Sequence, residues 1–167
     1  MRKSGRIALS GMLAALALAF SFLEGLLPPL PGMPPGAKLG LSNIVTMYAA
    51  DSVGLLCALG LALIKGGFAF FTRGAAAAAM SLCGGMASTL CMWFLLKKTS
   101  ASLSLIGVCG ALTHNFAQLV MAYFITSTSV LFYVPFLLIF GLLTGLLTGT
   151  VLKLTLPLLE KFKINPR

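Results

Sequence analysis

The sequence predicts an all-α, polytopic membrane protein with six transmembrane helices in a single domain, residues 1–167. Of the 167 residues, 59% are hydrophobic and 9% are charged, and the mean hydropathy is +1.03. A soluble domain of this length is far less apolar. Apolar segments long enough to cross a bilayer recur along the chain, and basic residues are concentrated between them.

The predicted spans, in chain order, cover residues 7–27, 39–50, 53–71, 75–96, 103–125 and 130–159. The first is too long for the apolar core of a signal peptide, so we expect it to be retained. The second is short, and a single helix over 39–71 would give five spans instead. With six spans, both termini and the loop at Lys97 and Lys98 share one side, which the positive-inside rule predicts to be cytoplasmic.

The net charge of +9 does not indicate a nucleic-acid partner, because the basic residues lie at span ends, where a lipid bilayer surface explains them. The acidic residues Glu24, Asp51 and Glu160 are isolated from one another. The four cysteines lie in apolar segments and lack metal-site spacing. We therefore expect no metal, no intrinsic cofactor and no enzymatic activity.

A candidate ligand site lies in the fifth span, where His114, Asn115 and Gln118 interrupt an uncharged segment. At about 1.5 Å per residue, His114, Gln118, Lys65 and Glu24 all lie at mid-membrane or in its outer half. Polar groups at that depth are costly and usually face a cavity. Alternatively, they hydrogen-bond between helices, Lys65 extends towards the interface, or Lys65 pairs with Glu24.

Three further features concern packing and access. The segment 28–38 contains five prolines and is predicted to be a rigid outer loop or a lid over the pocket, with Lys38 at its end and Tyr133 bordering the same pocket. The doubled GxxxG at Gly141, Gly145 and Gly149 predicts close helix packing. Gly11, Ala15 and Ala19 form a smooth stripe that packs internally or docks another membrane protein.

Segments 35–46, 81–88 and 107–118, with the glycine repeat at 141–149, resemble the family called heptaprenyl diphosphate synthase component I, or Gx transporter family. The resemblance covers about residues 5–160. It implies a relationship to the substrate-binding S components of energy-coupling factor transporters, hence an S-component-like bundle with an outward pocket under segment 28–38. It also implies that Asn43 contributes to the site and that Gly11, Ala15 and Ala19 dock the transmembrane coupling subunit.

We therefore expect a multi-pass protein of the cytoplasmic membrane that captures a small organic molecule from outside for uptake. The partners implied by the resemblance are the coupling subunit and ATPases of an energy-coupling module. Two alternatives stay open. One is a membrane subunit of a quinone- or flavin-linked electron-transfer system, with redox partners and a bound quinone or flavin. The other is a non-catalytic membrane accessory or scaffold in prenyl or quinone synthesis, because three isolated acidic residues cannot hold the magnesium ions that prenyl diphosphate synthesis requires.

Overall fold

The computed structural model describes residues 3–26, 40–126 and 131–161. Their secondary structure is entirely helical, which confirms the predicted fold class. The helices are α1 (Lys3–Leu26), α2 (Asn43–Ser52), α3 (Leu55–Arg73), α4 (Ala75–Lys98), α5 (Leu103–Thr126) and α6 (Val134–Lys161), with a 3-10 turn at Leu131–Tyr133 before α6.

The second helix differs from the other five in length. Within the described residues, α1, α3, α4, α5 and α6 are long and apolar enough to cross a membrane. Helix α2 has 10 residues and extends about 15 Å, roughly half of a bilayer's hydrocarbon core. Gly40 and Gly54, with φ of +84° and +125°, flank it in conformations that few other residues adopt.

Helix α2 lies at the centre of the bundle and packs against each of the other five helices. Met47, Ala49 and Ala50 have no solvent exposure at all. The polar side chains at its first turn are therefore held inside the protein, at the depth where α2 begins.

Helices α5 and α6 pack with their backbones in direct contact. A Cβ atom added to Gly145 would lie 2.8 Å from the carbonyl oxygen of Gly107, and one added to Gly107 would lie 2.8 Å from the nitrogen of Gly149. These distances are too short for any larger side chain. The doubled GxxxG is thus an internal packing surface, as the sequence predicts.

One end of the bundle is basic. The Arg6 guanidinium on α1 donates a hydrogen bond to the carbonyl oxygen of Val53 (3.2 Å), and Lys97 Nζ on α4 donates to that of Asp51 (3.4 Å). Gly149 of α6 packs against Ser104 at the start of α5. The first turns of α1, the end of α2 and the C-terminal half of α6 are therefore on the same side, the basic end.

Candidate functional site

A small polar cavity lies towards the opposite end, among α1, α3, α4, α5 and the turn that leads into α2. Its free volume is about 10 Å³, which is room for about one water molecule. Four of the predicted site residues line it together: Glu24, Lys65, His114 and Gln118. The remaining lining residues are Ser21, Gly40, Ser42, Arg73 and Ser81. We call this space the polar cavity.

Glu24 connects α1 to the start of α2. Its side chain is 7% exposed, and Oε1 accepts hydrogen bonds from the backbone N–H groups of Gly40 (2.6 Å) and Leu41 (2.8 Å). A side chain at position 40 would adopt a strained φ and would approach Asn43 Nδ2 within 2.8 Å. Glycine at this position therefore allows the turn to close on the Glu24 carboxylate.

Lys65 of α3 points inward rather than towards the membrane surface. It is 3% exposed, and Nζ donates a hydrogen bond to Asn43 Oδ1 at 3.4 Å. Asn43 is equally buried, and its Nδ2 has no hydrogen-bond partner within the described part of the chain. An amide donor that is buried without an acceptor is costly, so this nitrogen is suited to an acceptor supplied by a ligand or water.

His114 and Gln118 occupy one face of α5, a helical turn apart. Gln118 Nε2 lies 2.7 Å from His114 Nε2, and because an amide nitrogen only donates, the imidazole accepts through Nε2. The imidazole also lies against α4, where a Cβ at Gly84 would come within 3.0 Å of Nδ1. The contact between the two polar side chains is thus within α5, and both also line the polar cavity.

Asn115 and Tyr133 are placed elsewhere. Asn115 Nδ2 donates to the carbonyl oxygen of Leu137 on α6 at 2.9 Å, so this side chain bridges two helices. Tyr133 packs against an apolar cluster around Leu119 and Leu137. Neither residue is among those that line the polar cavity. Lys38 and the proline-rich segment 28–38 lie outside the described residues.

Arg73 also lines the polar cavity, although it lies beyond the end of the predicted third span at residue 71. It is the last residue of α3, is half-buried and lines the polar cavity with Lys65. The spacing of eight residues places both cations near one helical face, which is the signal that could have found it. Among the described residues, the cavity lining therefore includes two basic side chains, Lys65 and Arg73, and one carboxylate, Glu24.

The stripe of small residues on α1 faces outward. Gly11, Ala15 and Ala19 are all exposed within the described chain. Ala15 and Ala19 line an apolar groove whose floor includes Tyr48 of α2 and whose far wall includes Leu152 of α6. We call it the α1 groove; within the described structure, the stripe is not used for internal packing.

The comparisons with known proteins identify a family. The family model described as heptaprenyl diphosphate synthase component I matches residues 13–155. This segment includes every described residue that lines the polar cavity. Neither a curated protein nor a solved structure matches the chain. Because the family model covers most of its length, the chain belongs to the heptaprenyl diphosphate synthase component I family.

Proposed function

We propose that this membrane protein binds a small organic anion at the polar cavity, which widens beyond its free volume in this structure to admit the ligand, and presents the anion for uptake as a substrate-binding component of a transporter. The observation that carries the proposal is the convergence of Glu24, Lys65, His114 and Gln118, from three helices, on one cavity. Ionisable residues at membrane depth usually mark a substrate or ion site. A concave site with a few convergent polar groups is also the usual form of a ligand site.

The electrostatics of the polar cavity favour an anion. Lys65 and Arg73 supply two positive charges against the single negative charge of Glu24. Cationic side chains at the wall of a cavity attract an anionic ligand. Asn43 is not among the lining residues, but its buried Nδ2, which has no partner in the described chain, lies next to Gly40, which does line the cavity.

We propose that the basic end faces the cytoplasm, so that the polar cavity is accessible from outside. The support is the clustering of Arg6 and Lys97 at that end and the positive-inside rule. Single cysteines introduced at positions 3 and 165, in a background where the native cysteines are replaced, should react only with reagents that cross the membrane. A cysteine introduced at position 75, at the start of α4, should react with impermeant reagents. The reverse pattern at these positions would contradict the orientation.

The α1 groove is suited to a helical membrane partner, and we propose that it docks the transmembrane subunit of an energy-coupling module with its ATPases. Small residues allow helix backbones to approach closely without a hydrophobic driving force. Ala15 and Ala19 are both exposed there, and the remainder of the groove is apolar. The groove is separate from the polar cavity, so docking and ligand binding involve different residues.

Replacing Ala15 and Ala19 together by Leu should reduce co-purification with the coupling subunit by about tenfold, the effect of losing one well-packed contact of about 1.4 kcal/mol. The variant should still insert and fold, since both positions are exposed. In the matched control, Ala75 and Ala76 are replaced by Leu; both are exposed at the start of α4. This control variant should co-purify with the coupling subunit as the wild type does. If the Ala15 and Ala19 double variant co-purifies with the coupling subunit as well as the control variant and the wild type do, the α1 groove is not the docking surface.

A further inference from the structure

The carboxylate of Glu24 is held by an anion-binding turn of the backbone just before α2. Its Oε1 accepts hydrogen bonds from the N–H groups of Gly40 at 2.6 Å and Leu41 at 2.8 Å. Gly40 has a φ of +84°, and successive N–H groups in a turn of this kind form a concave site for an anion. Helix α2 begins at Asn43, so the positive end of its dipole lies close to the same carboxylate. We call this place, at Gly40, Leu41 and Asn43, the carboxylate site.

The carboxylate site has one donor more than Glu24 uses. Asn43 Nδ2 is buried and has no hydrogen-bond partner within the described part of the chain. It lies beside Gly40, where it would be 2.8 Å from an added Cβ atom. Oδ1 of the same amide accepts from Lys65 Nζ, so the orientation of the amide leaves Nδ2 as the donor. A buried donor without an acceptor is costly, and a ligand oxygen at the carboxylate site would supply that acceptor.

The space for a ligand has to come from a lining side chain, because the free volume of the polar cavity is only about 10 Å³. Departure of the Glu24 side chain would vacate the space of one carboxylate, in contact with backbone donors already arranged for it. A ligand carboxylate fits that space because it has the same size and shape. The exchange leaves the charge of the site unchanged, so it requires no surplus of positive charge on the neighbouring basic side chains.

The end of α1 that carries Glu24 has room to move. Glu24 lies in the last turn of α1, which ends at Leu26. Helix α1 is the least buried of the five candidate spans: 22% of its most apolar segment is buried, against 33% to 50% in the other four. A cleft with a free volume of about 130 Å³ lies between Gly25 and Leu26 of α1 and Phe68 and Thr72 of α3. A shift of the last turn of α1 therefore meets open space on this side.

We propose that Glu24 is an intramolecular competitor of the ligand. The ligand carries a carboxylate, which replaces that of Glu24 on the N–H groups of Gly40 and Leu41 and also accepts from Asn43 Nδ2. The inference rests on the proposed function and specifies the chemical class of the ligand and the way in which the polar cavity admits it. Binding releases the end of α1 from the turn before α2, so the position of this end depends on whether ligand is bound.

The tether makes Glu24 an effective competitor that can still be displaced. A group held beside its own binding site acts at an effective concentration of about millimolar or more, so a simple carboxylate binds the wild type weakly. A ligand with further contacts in the polar cavity overcomes this competition. A neutral side chain in place of Glu24 competes less well, because hydrogen bonds to a charged acceptor are about twice as strong as those to a neutral one.

The first test removes the competitor and supplies its carboxylate in solution. Glu24→Ala, extracted from the membrane in sodium acetate at neutral pH, should remain folded and should unfold on exchange into sodium chloride of equal ionic strength. Sodium formate should replace acetate, whereas uncharged acetamide should not, and the fluorescence of Trp93 would report the folded fraction. Asn115→Leu is the matched control, because it removes a hydrogen bond to α6 and leaves Glu24 in place. Acetate should not raise its melting temperature above that in chloride.

The second test uses Glu24→Gln, which keeps an acceptor for the two N–H groups. Acetate should raise its melting temperature at a concentration about tenfold lower than for the wild type. Equal responses of this variant and the wild type to acetate, or equal rescue of Glu24→Ala by chloride or acetamide, would overturn the competition. If the tests fail while the wild type retains a small molecule in native mass spectrometry, the proposed function stands without the competition. If the wild type retains none, the proposed function is overturned as well.

Discussion

Glu24→Ala should prevent the protein from remaining folded in detergent. The substitution removes the acceptor of two backbone N–H groups, at Gly40 and Leu41, and the negative charge that attracts Arg73. Breaking a buried charged interaction on one side typically costs about 3–5 kcal/mol. The turn that starts α2 would be released, and α2 contacts every other helix. Thermal unfolding in detergent, followed by the fluorescence of Trp93, would measure the effect.

Glu24→Gln is the matched control. Its side-chain oxygen can still accept both backbone N–H groups, so the turn before α2 should persist and the protein should fold. The loss of the negative charge makes the electrostatic potential of the polar cavity more positive, which should strengthen the binding of an anion there. Equal stability of the alanine variant and the wild type would contradict the role of Glu24 as the anchor of α2.

His114→Leu and Asn115→Leu should differ in their effects on the stability of the empty protein, although the residues are adjacent. His114 contacts Gln118 in its own helix and lines the polar cavity, so its loss should leave the free energy of unfolding nearly unchanged or slightly raised. Asn115 binds the carbonyl oxygen of Leu137 on α6. Its loss should cost about 1 kcal/mol, typical of a hydrogen bond between membrane helices.

The two variants therefore separate a cavity residue from a helix-bridging residue under the same change of side chain. Melting temperatures of both ligand-free proteins in one detergent provide the comparison. A marked loss of stability for His114→Leu, with Asn115→Leu unaffected, would show that the roles are reversed and that His114 is a structural residue.

Much of the fold follows from composition alone. The long apolar segments cannot be stable in water, and each reappears as a helix with ends close to those predicted, such as 103–125 against Leu103–Thr126. A short second span was predicted over 39–50, but the start of α2 at Asn43 is less obvious, because the turn at Gly40 closes on the carboxylate of Glu24, 16 residues earlier in the chain. The contact of α2 with all five other helices is likewise a consequence of tertiary packing.

The candidate site could be predicted in part because polar side chains are costly inside a membrane and usually mark a functional site. Four polar residues were selected on this ground and line one cavity: Glu24, Lys65, His114 and Gln118. Asn115 was selected on the same ground. It is one residue further along the helix than His114, which is a rotation of about 100°, and its side chain therefore faces α6. Arg73 was not among the selected residues, because α3 continues to it, beyond the predicted end at 71.

Native mass spectrometry of the gently purified protein tests the central claim, that the polar cavity holds a ligand, most directly. The wild type should retain a small molecule of discrete mass, and that mass would also distinguish an imported metabolite from a quinone or flavin. Asn115→Leu should retain the same molecule, whereas Lys65→Met and His114→Leu should lose it, since both side chains line the cavity. An adduct that survives in all variants, or a wild-type protein that carries none when taken directly from its native membrane, would contradict the claim.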